Sequence, residues 1–204
     1  HFIFNVMASL QSLILSANIE KANDYLVRMS ALIRGFLDAS ASSGFSRSKN
    51  IAATELPLKK ELEILDHFIQ FQQLIYPDKF DYELSLGPDI LPEKLTVPPM
   101  LIQPFVENSI KHGLLQKSGR GKLKISIFFT AKQTLTIEIE DDGIGTQKAE
   151  ALMKKSHLLY TSRGKDLTLK RIKLLNDMGY FIQFSSDSSE FGTKVILKIQ
   201  RNAE

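Results

Sequence analysis

Two runs of strict alternation, "LKISIFFT" and "TLTIEIED", are separated only by "AKQ". Leu123, Ile125 and Ile127 fall on one side of the first run, and Leu135, Ile137 and Ile139 on one side of the second. A period of two sends successive side chains to opposite faces of a strand, so each run has one apolar face to bury. The short connection makes them an antiparallel hairpin. "GYFIQFSS" and "TKVILKIQ" near the C-terminus form a second such pair, and residues 146–155 and 167–178 between the pairs are helical in pattern. Hairpin-paired strands with helices over one face describe a two-layer α/β sandwich with a mostly antiparallel sheet, in the α+β class. The long parallel crossovers of a Rossmann fold are missing.

The N-terminal part has a different period. In residues 2–17 the apolar positions Ile3, Val6, Leu10, Leu13 and Ala17 are spaced 3, 4, 3, 4; in 22–40, Ala22, Leu26, Met29, Ile33 and Phe36 are spaced 4, 3, 4, 3. Both are heptad seams, and a break at residues 16–19 lets the two helices fold back as a hairpin. One hairpin cannot bury both of its faces, whereas two copies making a four-helix bundle can, so a homodimer is expected. Packing of both helices on the rest of the same chain is the alternative. Residues 39–50, "ASASSGFSRSKN", read as a loop. A third helix covers about 57–75, opened by Thr54 and Pro57, with Glu61 and Glu63 in its early turns. "YPDKF" and "LGPDILPEK" are turns around a short strand, "DYELSL". This places the domain boundary within 41–56 or just after the third helix, and the division expected is a helical hairpin with its linker, 1–50, and a second domain, 51–204.

Composition removes several function classes. The chain has 204 residues, 43% apolar and 24% charged, enough for one good core or two small ones. Lys and Arg number 26 against 23 Asp and Glu, and a net charge of +3 is too small for a nucleic-acid footprint. The absence of cysteine excludes a disulfide scaffold and a thiolate metal site and fits a reducing compartment. Histidines at 1, 67, 112 and 157 show no ligand spacing. The best apolar run, "FIFNVMASLQSLILSA", is broken by Asn5, Ser9, Gln11 and Ser12 and does not read as a membrane span. With no signal-peptide pattern and an opening on His1, the chain reads as a piece of something longer.

Two stretches carry chemistry. "PPMLIQPFVENSIKHGLL" places Glu107, Asn108, Lys111 and His112 within one and a half turns of an otherwise apolar helix. Asn108, Lys111 and His112, at i, i+3 and i+4, can converge on one ligand. An amide oxygen beside a carboxylate suits Mg²⁺, which shares its oxygen ligands with phosphate, and Lys111 is a natural phosphate partner. The bland alternative is a solvated helix edge, with His112 next to a Gly113 stop. In "EDDGIGTQ", at the end of a strand and the start of a helix, Gly143 and Gly145 permit close backbone approach or positive φ. Asp141 can accept a hydrogen bond from an amino group. Taken alone, that pattern equally describes a tight turn with an aspartate cap.

Taken together the motifs resemble a known family. "ENSIKHG" resembles the N box, "DDGIG" the D box (the first glycine box) and "FGTKV" the last glycine box of the ATP-binding fold shared by gyrase, histidine kinases and MutL. "HFIFN" is similar to the phosphoacceptor motif of the LytS-type sensor histidine kinases, and "LIQPFVENSIKHGL" matches that family nearly residue for residue. The boxes span essentially the whole chain. The resemblance implies the cytoplasmic transmitter of a two-component kinase, using ATP and Mg²⁺ and reaching an inner membrane through a missing upstream segment. Its partners would be a second copy of the chain and a response-regulator receiver domain. By position, His1 would be phosphorylated, Asn108 would bind Mg²⁺, and Glu107 would be the acid beside the metal. Lys111 and His112 would face the phosphates, and Asp141 would hold the adenine amino group. Gly143 and Gly145 would shape the nucleotide floor, and Gly192 and Thr193 would close the adenine end. Asn5, at i+4 from His1, would position a water for phosphatase chemistry.

With Ile3 and Val6 in the buried seam, His1, Asn5, Ala8 and Ser12 occupy the outer face. A neutral imidazole is nucleophilic near pH 7 because its ordinary pKa is about 6.5. The second glycine box, usually G-x-G-L, departs from the pattern. "SRGK" sets Ser162 for the first glycine, keeps Gly164 for the second and has Lys165 for leucine, or else Gly164 is the first glycine and Asp166 replaces the second. Either way one glycine is missing, and Lys154, Lys155, Arg163 and Lys165 supply charge. Two other classes compete: an ATPase of the same fold without a phosphohistidine, and a catalytically weak dimerising regulatory module.

Overall fold

The computed structural model describes residues 55–130, 134–145 and 161–200, with side chains from residue 169 onward in the last stretch, and the isolated positions 19, 20, 23, 26, 27, 29 and 30. In chain order the elements are β1 (Leu56–Pro57), α1 (Leu58–Ile75), β2 (Phe80–Leu86), β3 (Thr96–Val97), α2 (Gln103–Asn108), a π-helical segment (Ser109–Leu114), β4 (Gly121–Phe129), β5 (Thr134–Asp141), α3 (Thr161–Asp177), β6 (Phe181–Ser189) and β7 (Gly192–Gln200).

Both expected hairpins form, and they join into one five-stranded sheet of order β2-β4-β5-β7-β6. Register explains why the alternating positions matter. Ile127, Ile137, Leu197 and Phe184 are successive partners across four strands, as are Phe129, Leu135, Ile199 and Ile182 on the next rung. These inward rungs merge into a single core with Leu58, Leu62, Leu65, Phe68 and Ile69 of α1, Phe105 and Val106 of α2, Ile110 and Leu114 of the π segment, and Ile172 and Leu175 of α3. Ile125, Ile127, Ile137 and Ile139 are fully buried, so the alternation read from sequence is the helix-facing side of the sheet.

All pairings but one are antiparallel. β2 lies parallel to β4, and the chain between them returns through β3, α2 and the π segment. A crossover absent from the sequence reading is therefore present, because residues 87–120 are long enough to carry the chain back to the same end of the sheet. The two-residue ladder of β1 with β3 was also unforeseen. Together with the Leu58 amide bonded to the Leu95 carbonyl at 2.7 Å, it ties the start of α1 to the chain leading into α2.

Several boundaries differ from expectation. α1 begins one residue after Pro57, and α3 begins at Thr161 rather than 167, so Ser162, Gly164 and Lys165 lie on helical backbone. Ile19, at the end of the expected break, and Glu20 are helical. The first N-terminal helix, the loop at 39–50, Thr54 and the helix at 146–155 lie outside the described residues, as do His1 and Asn5. No helix among the described residues is long and apolar enough to cross a membrane.

Candidate functional site

The helix carrying the polar cluster is not a plain α-helix. Buried positions come as pairs, 105 and 106, 109 and 110, 113 and 114, with Glu107, Asn108, Lys111 and His112 half-buried between them. That is a period of four, longer than the 3.6 residues of an α turn. Switching to i→i+5 bonding after Asn108 keeps the pattern on one face, and the Leu115 amide reaches the Ile110 carbonyl at 2.9 Å. The α-helical spacing assumed for Asn108, Lys111 and His112 is thus replaced by a wider winding, which still leaves all four polar residues along one edge. The helix does not stop at Gly113 but runs to Leu114. Lys111 is ion-paired with Glu107, so the side chain expected to face phosphate has an internal carboxylate partner.

Asp141 ends the inward series Leu135, Ile137, Ile139 and stands between Leu123 and Thr193 in the sheet register. A carboxylate therefore occupies a core-facing position, and only 3% of it is exposed. Burial pushes its pKa up; hydrogen bonds from the Ser109 side chain and from the Gly143 and Thr193 amides pull the other way. The Gly143 bond, to Oδ1, is 3.0 Å.

Glycines make this approach possible. A Cβ on Gly113 would sit 2.6 Å from Asp141 Oδ1, and one on Gly143 would sit 2.4 Å from the Gly113 main chain. The π segment and the strand-to-helix turn therefore meet backbone to backbone. Gly192, at φ 137, lies so close to the Asp141 carbonyl that a Cβ would come within 1.9 Å of it. Gly145, at φ 71, stands in the same relation to the Ser189 carbonyl. The Thr193 hydroxyl is 3.2 Å from that of Ser188. The structure thus gathers Gly113, Asp141, Gly143, Gly192 and Thr193 at one end of the sheet, beside the helix that carries Asn108. Gly164 is placed only by its helical backbone. A groove of about 340 Å³, lined by Lys117, Ser118, Asp142, Gly143, Ile144, Glu190 and Phe191, shares just Gly143 with the expected site residues. It borders the turn and does not contain the Asn108 edge.

Residues 1–80 match the Histidine kinase family, and residues 99–203 match the family described as Histidine kinase-, DNA gyrase B-, and HSP90-like ATPase. The chain belongs to this histidine kinase-type ATPase family. The Sensor protein LytS of Oceanobacillus iheyensis is 30% identical over 96% of the chain, and the Sensor histidine kinase/phosphatase LytS of Staphylococcus aureus is 26% identical over all of it. The chain spans about a third of the length of these two relatives, covering 32% and 33% of them. Among solved structures, the histidine kinase domain of a blue-light activated histidine kinase from Erythrobacter litoralis aligns with a TM-score of 0.55 and 14% identity, covering 85% of this chain and 73% of that one. That likeness is one of fold.

In this member of the family, three contributors escaped the sequence reading. Ser109 and Gly113 sit inside the recognised motif, yet their contact with Asp141 needs the fold to bring β5 alongside the helix. Glu61 was read as a helix-start acid, but it is 2% exposed and accepts hydrogen bonds from the Met100 and Ile102 amides. A signal existed: Glu61 lies in the stripe of Leu58, Leu62 and Leu65.

Proposed function

We propose that the chain is the transmitter of a two-component sensor histidine kinase, in which Mg-ATP phosphorylates His1 and the phosphoryl group passes to an aspartate on a response-regulator receiver domain. Asp141 carries this reading. A carboxylate has about four acceptor sites, and Ser109, Gly143 and Thr193 engage it with one donor each. One acceptor site remains for an exocyclic amino group such as that of adenine. A carboxylate held almost fully out of water is costly unless its acceptors are used, which favours a ligand that supplies a donor.

The donor set suits a metal that arrives with its nucleotide. Among the described residues, no group of three or more Asp, Glu or His side chains could hold a metal by itself. Asn108 would give one amide oxygen, leaving phosphate and water to complete the shell, as Mg²⁺ prefers. When bound, Mg²⁺ neutralises charge on the phosphates during transfer. Lys111 and His112 add donors along the same edge, and Glu107 orients the attacking ring once it exchanges its Lys111 partner. A ring nitrogen of His1 bonds to the γ-phosphorus as the bond to the β,γ-bridging oxygen breaks. ADP leaves with that electron pair, and the ring proton passes to water.

In this reading residues 1–50 form the dimerising hairpin that presents His1, and 51–204 bind ATP, in the cytoplasm beneath an inner membrane. The exposure of Ile19, Leu26 and Val27, at 77%, 42% and 59%, supports a helical surface awaiting a second copy. The name of the Staphylococcus aureus relative, a kinase/phosphatase, supports a water-positioning role for Asn5. One observation favours a weaker regulatory module instead: Ser162, Gly164 and Lys165 are on helical backbone, where a glycine-rich cradle for phosphate would stand.

Transfer of label from γ-labelled ATP separates these readings. Acid-labile, alkali-stable label on the protein, lost in both His1→Gln and Asn108→Ala, is the expected result. A protein that binds Mg-ATP yet acquires no such label is a regulatory module or, if it releases phosphate, a plain ATPase.

A further inference from the structure

Besides Asp141, Glu61 is a second buried carboxylate. Glu61 projects from the first turns of α1 into the chain that leads to α2. Its Oε2 accepts the Met100 amide at 2.8 Å and its Oε1 the Ile102 amide at 3.2 Å. From the other side, Arg171 of α3 donates to the Pro99 carbonyl, and its charge faces Glu61. Burial raises the Glu61 pKa and lowers that of Arg171, and each group's charge opposes the shift of the other.

We propose that Glu61 and Arg171 form a positioning pair that sets the turn before α2, and through that helix the place of Asn108. Main-chain groups of Pro99, Met100 and Ile102 are gripped by side chains from α1 and α3, two elements distant in sequence. Met100 adopts φ 54, a left-handed conformation that a non-glycine residue keeps only when its surroundings over-determine it. From Ile102 the helix rises about 1.5 Å per residue to Asn108, so a shift at the turn is carried undiminished to the amide. The two charges attract one another, but the hydrogen bonds of each side chain go to the main chain of the turn. Orientation is what such a pair supplies and apolar packing does not.

The inference rests on the nucleotide reading above, and its test separates the two. ATP affinity is measured by calorimetric titration with and without Mg²⁺ for the unmutated protein, Glu61→Gln, Arg171→Met, the double variant and Arg171→Lys. Urea unfolding of each confirms that it is folded. Loss of orientation at a metal ligand weakens the metal's contribution by about tenfold, so the gain in ATP affinity on adding Mg²⁺ falls by that factor in Glu61→Gln and in Arg171→Met. The double variant loses no more than either single one, because the pair acts as a unit. Affinity without Mg²⁺ stays at the unmutated level, and Arg171→Lys, which keeps the charge, recovers most of the Mg²⁺ gain. If Glu61→Gln does not fold, the contrast between Arg171→Met and Arg171→Lys decides. An unaltered Mg²⁺ gain in folded variants, additive losses, or equal weakening with and without Mg²⁺ overturns the positioning role alone. An unmutated protein that binds no ATP overturns the nucleotide reading and the inference with it.

Discussion

Replacing Gly143 by alanine tests the site where its geometry is tightest. The added Cβ would lie 2.4 Å from both Cα and the carbonyl carbon of Gly113 and 2.8 Å from Asp141 Oδ1. Gly143 does not have a positive φ, so the substitution adds volume without backbone strain. Carbon atoms in contact prefer about 3.5–4.0 Å, which means the turn and the π segment must part by about 1 Å or more. The obstacle is main chain of a hydrogen-bonded helix, which cannot swing aside as a side-chain tip can. The cost is therefore set at the upper end of overpacking, about 3 kcal/mol, out of a total stability of about 5–15 kcal/mol. Urea unfolding followed by circular dichroism reads this as a lower midpoint at unchanged slope. Mg-ATP titration reads a loss of about tenfold or more, because moving the turn by about 1 Å separates Asp141 from the Asn108 edge. Gly119→Ala is the control: nothing lies within 4 Å of its Cβ, but φ is 94, so it costs about 1–2 kcal/mol of strain and leaves binding intact. If Gly143→Ala unfolds within about 0.5 kcal/mol of the unmutated protein and binds Mg-ATP equally well, the close approach of turn and helix is refuted.

Asp141→Asn tests the buried carboxylate by its pH dependence. Because burial raises the Asp141 pKa, its folded form gains on protonation, and the unmutated protein loses stability relative to Asp141→Asn as pH rises above the ordinary value of 3.8. Urea midpoints at stepped pH values give the difference; a flat or opposite trend contradicts the burial, while nucleotide binding is expected to disappear. Ile137→Ala, at the centre of a fully buried rung, costs about 2–5 kcal/mol in urea unfolding, whereas Leu174→Ala, 60% exposed on α3, stays within about 0.5 kcal/mol. Equal costs would mean that the rungs do not form the core. Lys111→Ala changes stability by less than about 1 kcal/mol, since its ion pair with Glu107 leaves both side chains near 30% exposed. The same change weakens Mg-ATP binding by about tenfold if Lys111 turns to phosphate; unaltered affinity keeps it as a partner of Glu107 only.

The sheet was legible because its signal is local. Alternation at Leu123, Ile125 and Ile127 and at Leu135, Ile137 and Ile139 depends only on the pleat of each strand, and the short turns dictate which strands pair as hairpins. The same alternation carries on to Asp141, but "EDDGIGTQ" reads as a turn, and only the register shows that this carboxylate is placed inward. Residue identities in "ENSIKHG" and "DDGIG" likewise named Asn108, Asp141 and the glycines as site residues before any contact was known.

What tertiary structure decided were the partners. Nothing in the period of "DYELSL" says that it lies parallel to β4, because parallel pairing depends on the path of the whole chain between them. Glu61 had an apolar stripe around it, but its acceptors could be satisfied only after folding brought the Met100 and Ile102 amides and Arg171 to it. The π winding after Asn108 reconciles a burial period of four with a helix that must contact β4, β5 and β7 together. Periodicity assigns each side chain a face, since that follows from the local backbone. The donors, acceptors and glycine surfaces that meet on that face come from distant parts of the chain, so their identity is settled only by the packed structure.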